Sequence, residues 1–147
     1  MVLSYYYFPS KPLPRPIIPV RLRYNDKLLD VGMLLDSGSD FSMIPVSISN
    51  SLGMNIQGLK KTKTIGIGGI PIEVKMSELD LILKRGREEY EMSIPIQINL
   101  NPDVIPLLGR TPLFDEFDVI FRQWKNQINL KRMAEKDKEK RRKRSRK

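Results

Sequence analysis

An apolar run, Met33-Leu34-Leu35, stops abruptly in Asp36-Ser37-Gly38-Ser39-Asp40, and this junction constrains the chain more than any other feature. An apolar run bounded by turn-forming residues reads as a buried strand that delivers a polar loop. The same strand grammar surrounds it. Val20, Leu22 and Tyr24 alternate with Arg21 and Arg23, the period-2 signature of a half-buried strand. Asn25-Asp26 is a turn signal, after which Lys27 to Leu35 resumes as strand.

Further strands are expected downstream. Lys60 to Lys75 reads as two strands about Gly66-Ile67-Gly68-Gly69, and Glu78 to Lys84 with Glu88 to Ile98 as a hairpin turning at Arg85-Gly86-Arg87. Val104 to Leu108, Phe117 to Phe121 and Asn126 to Leu130 are short strands. One or two short helices are expected. Pro45 to Leu52 closes at Gly53, and a turn begins at Thr111-Pro112, which suits N-cap and first helical position. Many short strands with little helix predict a small all-β barrel or sandwich spanning residues 17–130.

The flanks read differently. Residues 1–16 carry Pro9, Pro12, Pro14 and Pro16 and predict an extended arm, with order starting near Ile17. Residues 131–147 hold 11 Lys/Arg and 3 Asp/Glu, leaving 15 basic and 14 acidic groups in the preceding 130. The formal charge of +9 is therefore a property of the tail, which is expected to be disordered or a frayed helix. A uniformly basic nucleic-acid-binding domain is not supported. Nucleic acid or an acidic partner held through the tail stays as the secondary expectation, electrostatic and salt-sensitive.

Composition excludes much chemistry. Cys and His are both absent. That removes disulfides, a Cys nucleophile, a Cys/His zinc site, a Ser-His-Asp triad and a His base. No oxygen-rich metal loop appears, and no cofactor is expected. No stretch reaches the roughly 18–20 apolar residues of a membrane span, and Met1 to Phe8 lacks a basic n-region. A cytoplasmic protein without membrane contact is the expectation.

Three segments stand out as candidates for chemistry. Taken alone, Asp36-Ser37-Gly38 is an Asx-type turn at a strand end. Thr64 to Ile70 is neither a dinucleotide fingerprint, because Pro71 stands at the last position, nor a phosphate loop, because no G-K-[ST] follows. Ile105-Pro106-Leu107-Leu108-Gly109-Arg110 alone is a buried strand leaving the core. Together and in this order they resemble the retropepsin-like (retroviral-type) aspartic proteases. That family's pattern is an apolar pair before Asp-[Thr/Ser]-Gly-[Ala/Ser], a glycine-rich flap some thirty residues on, and an apolar pair before Gly-Arg. The resemblance covers residues 17–130 and implies a small closed barrel with a flap hairpin.

It also implies a function. Asp36, Ser37 and Gly38 would form the catalytic loop of an aspartic endopeptidase. Asp40, Ile65, Gly66, Ile67, Gly68 and Gly69 would contact a peptide or unfolded-protein substrate, and Arg110 would support the site by pairing with Asp40. Two carboxylates sharing one proton are needed to activate water and protonate a carbonyl oxygen. The chain carries one D-[ST]-G, since Asp30-Val31-Gly32 lacks the hydroxyl. An active site is therefore expected only in a homodimer, with Asp36 of each subunit at the two-fold axis. The rival expectation is a non-catalytic peptide-binding or dimerisation module on the same fold. Trp124 is expected to be a packing anchor, and Asp115, Glu116 and Asp118 to be solvated. For Tyr5 to Phe8, docking on a partner subunit and a disordered end both stay open.

Overall fold

The computed structural model describes residues 1–66 and 68–146. β1 (Val2–Tyr6) comes first, and β2 (Ile17–Tyr24) with β3 (Lys27–Leu35) forms an antiparallel hairpin about Asn25-Asp26. In β2 the expected alternation holds for Val20, Arg21 and Leu22, which are buried, exposed and buried in turn, but not for Arg23 and Tyr24, which are both half-buried. The Asp36 loop leads to β4 (Ser42–Pro45) and α1 (Val46–Ser51). Gly53 follows α1 at φ +68°, a left-handed conformation that a side chain would strain.

β5 (Lys61–Ile65) pairs with β6 (Pro71–Arg85), and β6 pairs along its whole length with β7 (Glu88–Asn99). Next come β8 (Leu107–Leu108), α2 (Leu113–Glu116) and β9 (Phe117–Arg122). A 3-10 turn at Gln123–Lys125, β10 (Gln127–Arg132) and α3 (Glu135–Ser145) complete the chain.

Six strands close on themselves. The order β2-β3-β8-β4-β7-β6 returns to its start through Arg21↔Ile82, Leu22↔Leu81 and Arg23↔Asp80. Closure removes sheet edges, and the barrel interior fills with Leu79, Leu81, Leu83, Ile94, Ile96 and Ile98 from alternate positions of the long hairpin. β5 continues outward from β6, outside the ring. A second sheet, β1-β10-β9, sets Leu3, Tyr5, Ile128 and Leu130 into the same core. Burial pushes the Tyr5 hydroxyl up to about 12, against a smaller opposing influence from Arg85. Among the described residues no helix is long and apolar enough to cross a membrane.

Several expectations are corrected. Order begins well before Ile17, because β1 pairs with β10 from Val2↔Lys131 to Tyr6↔Gln127 and buries Leu3 and Tyr5. The prolines act only from Pro9 onward, on the link between β1 and β2. Trp124 anchors nothing. It lies in the turn between β9 and β10 and is 80% exposed, with the Lys125 ammonium over its ring. Glu116 is not solvated either, since it accepts a hydrogen bond from the Tyr90 hydroxyl (2.6 Å) and pairs with Lys138. Of the two expectations for the tail, disorder or a helix, the structure has the helix α3.

Candidate active site

The Asp36 loop is built by a strand exchange. β3 runs parallel to β8, with Leu34↔Leu107 and Leu35↔Leu108 side by side. β4 lies on the far side of β8, antiparallel to it. Residues 36–41 must therefore cross over the end of β8 to join two strands that do not pair with each other. Asp36 stands where this crossing begins, partly buried, with Ser37 and Gly38 exposed beyond it.

Backbone hydrogen bonds fix the crossing. The Gly38 N–H donates to Asp36 Oδ1 at 2.9 Å, an Asx-type turn that aims the carboxylate. A Cβ on Gly38 would sit 3.2 Å from the same oxygen and crowd it. No hydrogen bond engages Asp36 Oδ2 among the described residues. The Ser39 N–H donates to the Asp36 carbonyl (3.2 Å), and the Ser39 hydroxyl to the Phe41 carbonyl (2.7 Å).

The Gly109-Arg110 segment is stitched to this loop. The Asp36 N–H donates to the Leu108 carbonyl (3.0 Å), Arg110 N–H to Ser39 (2.9 Å) and Thr111 N–H to Asp40 (3.0 Å). The buried Gly109 N–H donates to the Ser42 hydroxyl at 3.0 Å. A Cβ at Gly109 would overlap the Phe41 carbonyl, so only glycine fits this crossing point. The Arg110 guanidinium pairs with the Asp40 carboxylate, joining residues 70 positions apart. Both side chains are more than half exposed, so the pair orients the loop from its rim rather than from the interior. Ser42 escaped the sequence reading, because a lone serine in Phe41-Ser42-Met43-Ile44 carries no signal of its own.

The glycine-rich turn forms a separate structure. It caps the β5–β6 hairpin, with Gly66 N–H donating to Ile70 (3.3 Å) and Gly69 N–H to Gly66 (3.1 Å). Gly68 and Gly69 take φ values of +90° and +74°. Ile65 and Ile70 are exposed at its base. Ile67, expected at the tip, lies outside the described residues. Asp36, Ser37, Gly38, Asp40 and Arg110 are thus brought together. Among the described residues no hydrogen bond links Ile65, Gly66, Gly68 or Gly69 to them.

One charged network adjoins the site through α2, whose Phe114 N–H donates to the Arg110 carbonyl (2.7 Å). Lys138, then Tyr90, hold the Glu116 carboxyl below its ordinary range by hydrogen bonding to its charged form. Glu116 in turn raises Lys138. Arg141 pairs with Asp115. α3 is thereby fastened to α2 by charge.

No family model matches this sequence, and no curated protein matches it. Solved structures do. The chain is similar to a retropepsin-like aspartic protease from Rickettsia conorii, with TM-score 0.65 and 17% identity over 88% of this chain and 91% of that one. It also matches EIAV protease complexed with the inhibitor HBY-793, at TM-score 0.44 and 24% identity over 72% and 91% of the two chains. A third match is the retroviral protease-like domain of Ddi1 from Leishmania major, at 0.48 and 13% over 84% and 97%. The closed barrel, the crossing loop at Asp36 and the Rickettsia likeness agree: this chain has the retropepsin-like fold.

Proposed function

We propose that the chain is an aspartic endopeptidase whose catalytic water is activated by two Asp36 carboxylates, one from each subunit of a homodimer. The observation that carries this reading is the Asp36 loop itself. A carboxylate is aimed by the Gly38 N–H and held on a strand crossing by four hydrogen bonds from or to the Leu108–Thr111 segment. Catalysis needs such rigid placement, because small misplacements of reacting groups cost large factors in rate.

The chemistry follows from pairing two copies of this loop. Two adjacent carboxylates cannot both ionise cheaply, so the pair retains one proton. The ionised member takes a proton from water, which attacks the peptide carbonyl carbon. The protonated member donates to the carbonyl oxygen. The resulting tetrahedral intermediate collapses, the C–N bond breaks, and the amine leaves with a proton from the pair. Ser37 would hydrogen-bond across the two-fold axis, and Gly38 would admit the substrate backbone closely. Asp40 would accept a substrate N–H while Arg110 holds it. The β5–β6 hairpin serves as the flap, with Ile65 and Gly66 to Gly69 over an extended peptide, and its closure excludes water. The exposed apolar residues Phe41, Ile65, Ile70 and Ile105 favour apolar side chains beside the scissile bond. β9 ends the β1-β10-β9 sheet with one unpaired edge carrying exposed Ile120 and Phe121, which offers a second copy a ladder and an apolar seam.

Asp36→Asn tests the reading. Cleavage of an unfolded protein at about pH 3–6 should be abolished, a loss of at least about 100-fold, with fold and dimer unchanged. Full activity in that variant contradicts the mechanism. Binding of peptide without cleavage by the native chain would instead favour a non-catalytic module.

A further inference from the structure

α3 contains no apolar side chain, yet it is a docked helix with two distinct faces. Lys138 and Arg141 face α2, where they meet Glu116 and Asp115. Arg142 and Ser145 line the same cleft between α2 and α3. At 3.6 residues per turn, Lys136, Lys140, Lys143 and Arg144 fall on the opposite side of the helix. All four are exposed, and no ion pair engages them among the described residues. The acids of α3 do not interrupt this stripe: Glu135 pairs with Lys138 at 3.4 Å, while Asp137 and Glu139 flank it.

We propose that this outward stripe binds the phosphate backbone of double-helical nucleic acid, without reading sequence. This goes beyond the peptidase reading and does not depend on it. The stripe runs about 12 Å along the helix, a length over which a duplex presents roughly seven phosphate charges. Charge complementarity is thus local and dense, while residues 1–130 are nearly neutral, with 15 basic and 14 acidic groups. Two features separate duplex from other polyanions. Single-strand binders stack bases on aromatic side chains, and α3 has none. Helices that lie in a membrane interface bury an apolar face, and α3 has none of that either. The side chains present are Lys and Arg, which contact phosphates. Lys and Arg can also address guanine edges, but the stripe has no Asn or Gln for adenine and no acid for cytosine, so no sequence code is built into it.

The test uses the full chain and a labelled 20-base-pair duplex of arbitrary sequence, followed by fluorescence anisotropy. Four phosphate contacts predict a log–log salt slope of about −3.6, a loss of affinity of roughly 100-fold between about 50 and 200 mM salt. Lys140→Gln and Arg144→Gln should each flatten the slope by about 0.9, and the variant with all four changed to Gln should lose nearly all of it. Arg141→Gln, on the docked face, should leave the slope unchanged. Equal effects from Arg141→Gln and Lys140→Gln would overturn the assignment to an ordered outward face. So would tighter binding to a single strand of the same length, or to phosphatidylserine vesicles, than to the duplex. A slope that persists after all four substitutions would overturn it outright.

Discussion

The two ends of the chain are both peripheral in composition, yet they are held to the body by opposite physics. β1 is fastened by burial: Leu3 is fully buried and Tyr5 is 2% exposed, in a ladder with β10. α3 is fastened by charge. Its one buried residue is Lys138, tied to Glu116, and Arg141 adds a pair with Asp115. Apolar burial has no charge to screen or titrate, whereas an ion pair is weakened by screening and by pH. One end is therefore packed into the core, and the other is held against α2 by charge.

Removing the β1 anchor should have the largest effect. Leu3→Ala should cost about 2–5 kcal/mol in chemical denaturation, because a large side chain is deleted from a packed core. Deleting residues 135–147 should cost less. If that deletion proves the more damaging of the two, the contrast between the ends fails.

Glu116→Gln should have an intermediate effect, about 1–3 kcal/mol near neutral pH, by weakening bonds to a charged group. Its pH dependence sharpens the comparison. The folded state lowers the Glu116 carboxyl, so this contribution is complete above the ordinary carboxyl range and fades as pH falls through the lowered value. Stability curves of native and Glu116→Gln chains should therefore converge in acid. Parallel curves at every pH would show that Glu116 does not hold α3 as a carboxylate. Across the same range the cost of Leu3→Ala should stay constant.

Arg110→Ala should have the smallest effect on stability, under about 1 kcal/mol, because its pair with Asp40 is exposed. The backbone bonds of Gly109, Arg110 and Thr111 stay in place in this variant and carry the junction. A collapse in melting temperature would assign the side-chain pair a weight that its exposure argues against.

Much of the barrel was legible because its strands carry period-2 patterns that match their burial, as in Val20 and Leu22 about Arg21. The Asp36 loop was legible for a related reason: an apolar strand that ends in acids, hydroxyls and glycine can do little else. The pairing of Asp40 with Arg110 followed from resemblance, and its exposed setting did not. β1 was missed because the downstream prolines dominate the composition of residues 1–16, although Leu3 and Tyr5 already alternate with Val2, Ser4 and Tyr6. Trp124 was misplaced because residue type was weighed above position in a turn. The order of α3 was hidden because the groups that hold it, Asp115 and Glu116, lie some twenty residues or more away in sequence, and charge pairs leave no periodic trace. Ser42 has the same invisibility.

The most direct test of the account is an activity titration. Native chain is held constant while the Asp36→Asn chain is added, subunits are allowed to exchange, and cleavage of an unfolded protein is measured in acid. If each site needs two Asp36 carboxylates, an equal mixture should cleave at about half the rate of the native chain alone, falling further as the variant is added in excess. A rate that stays constant throughout, with exchange verified, would mean that one chain suffices, and the shared-proton site at a two-fold axis would be wrong.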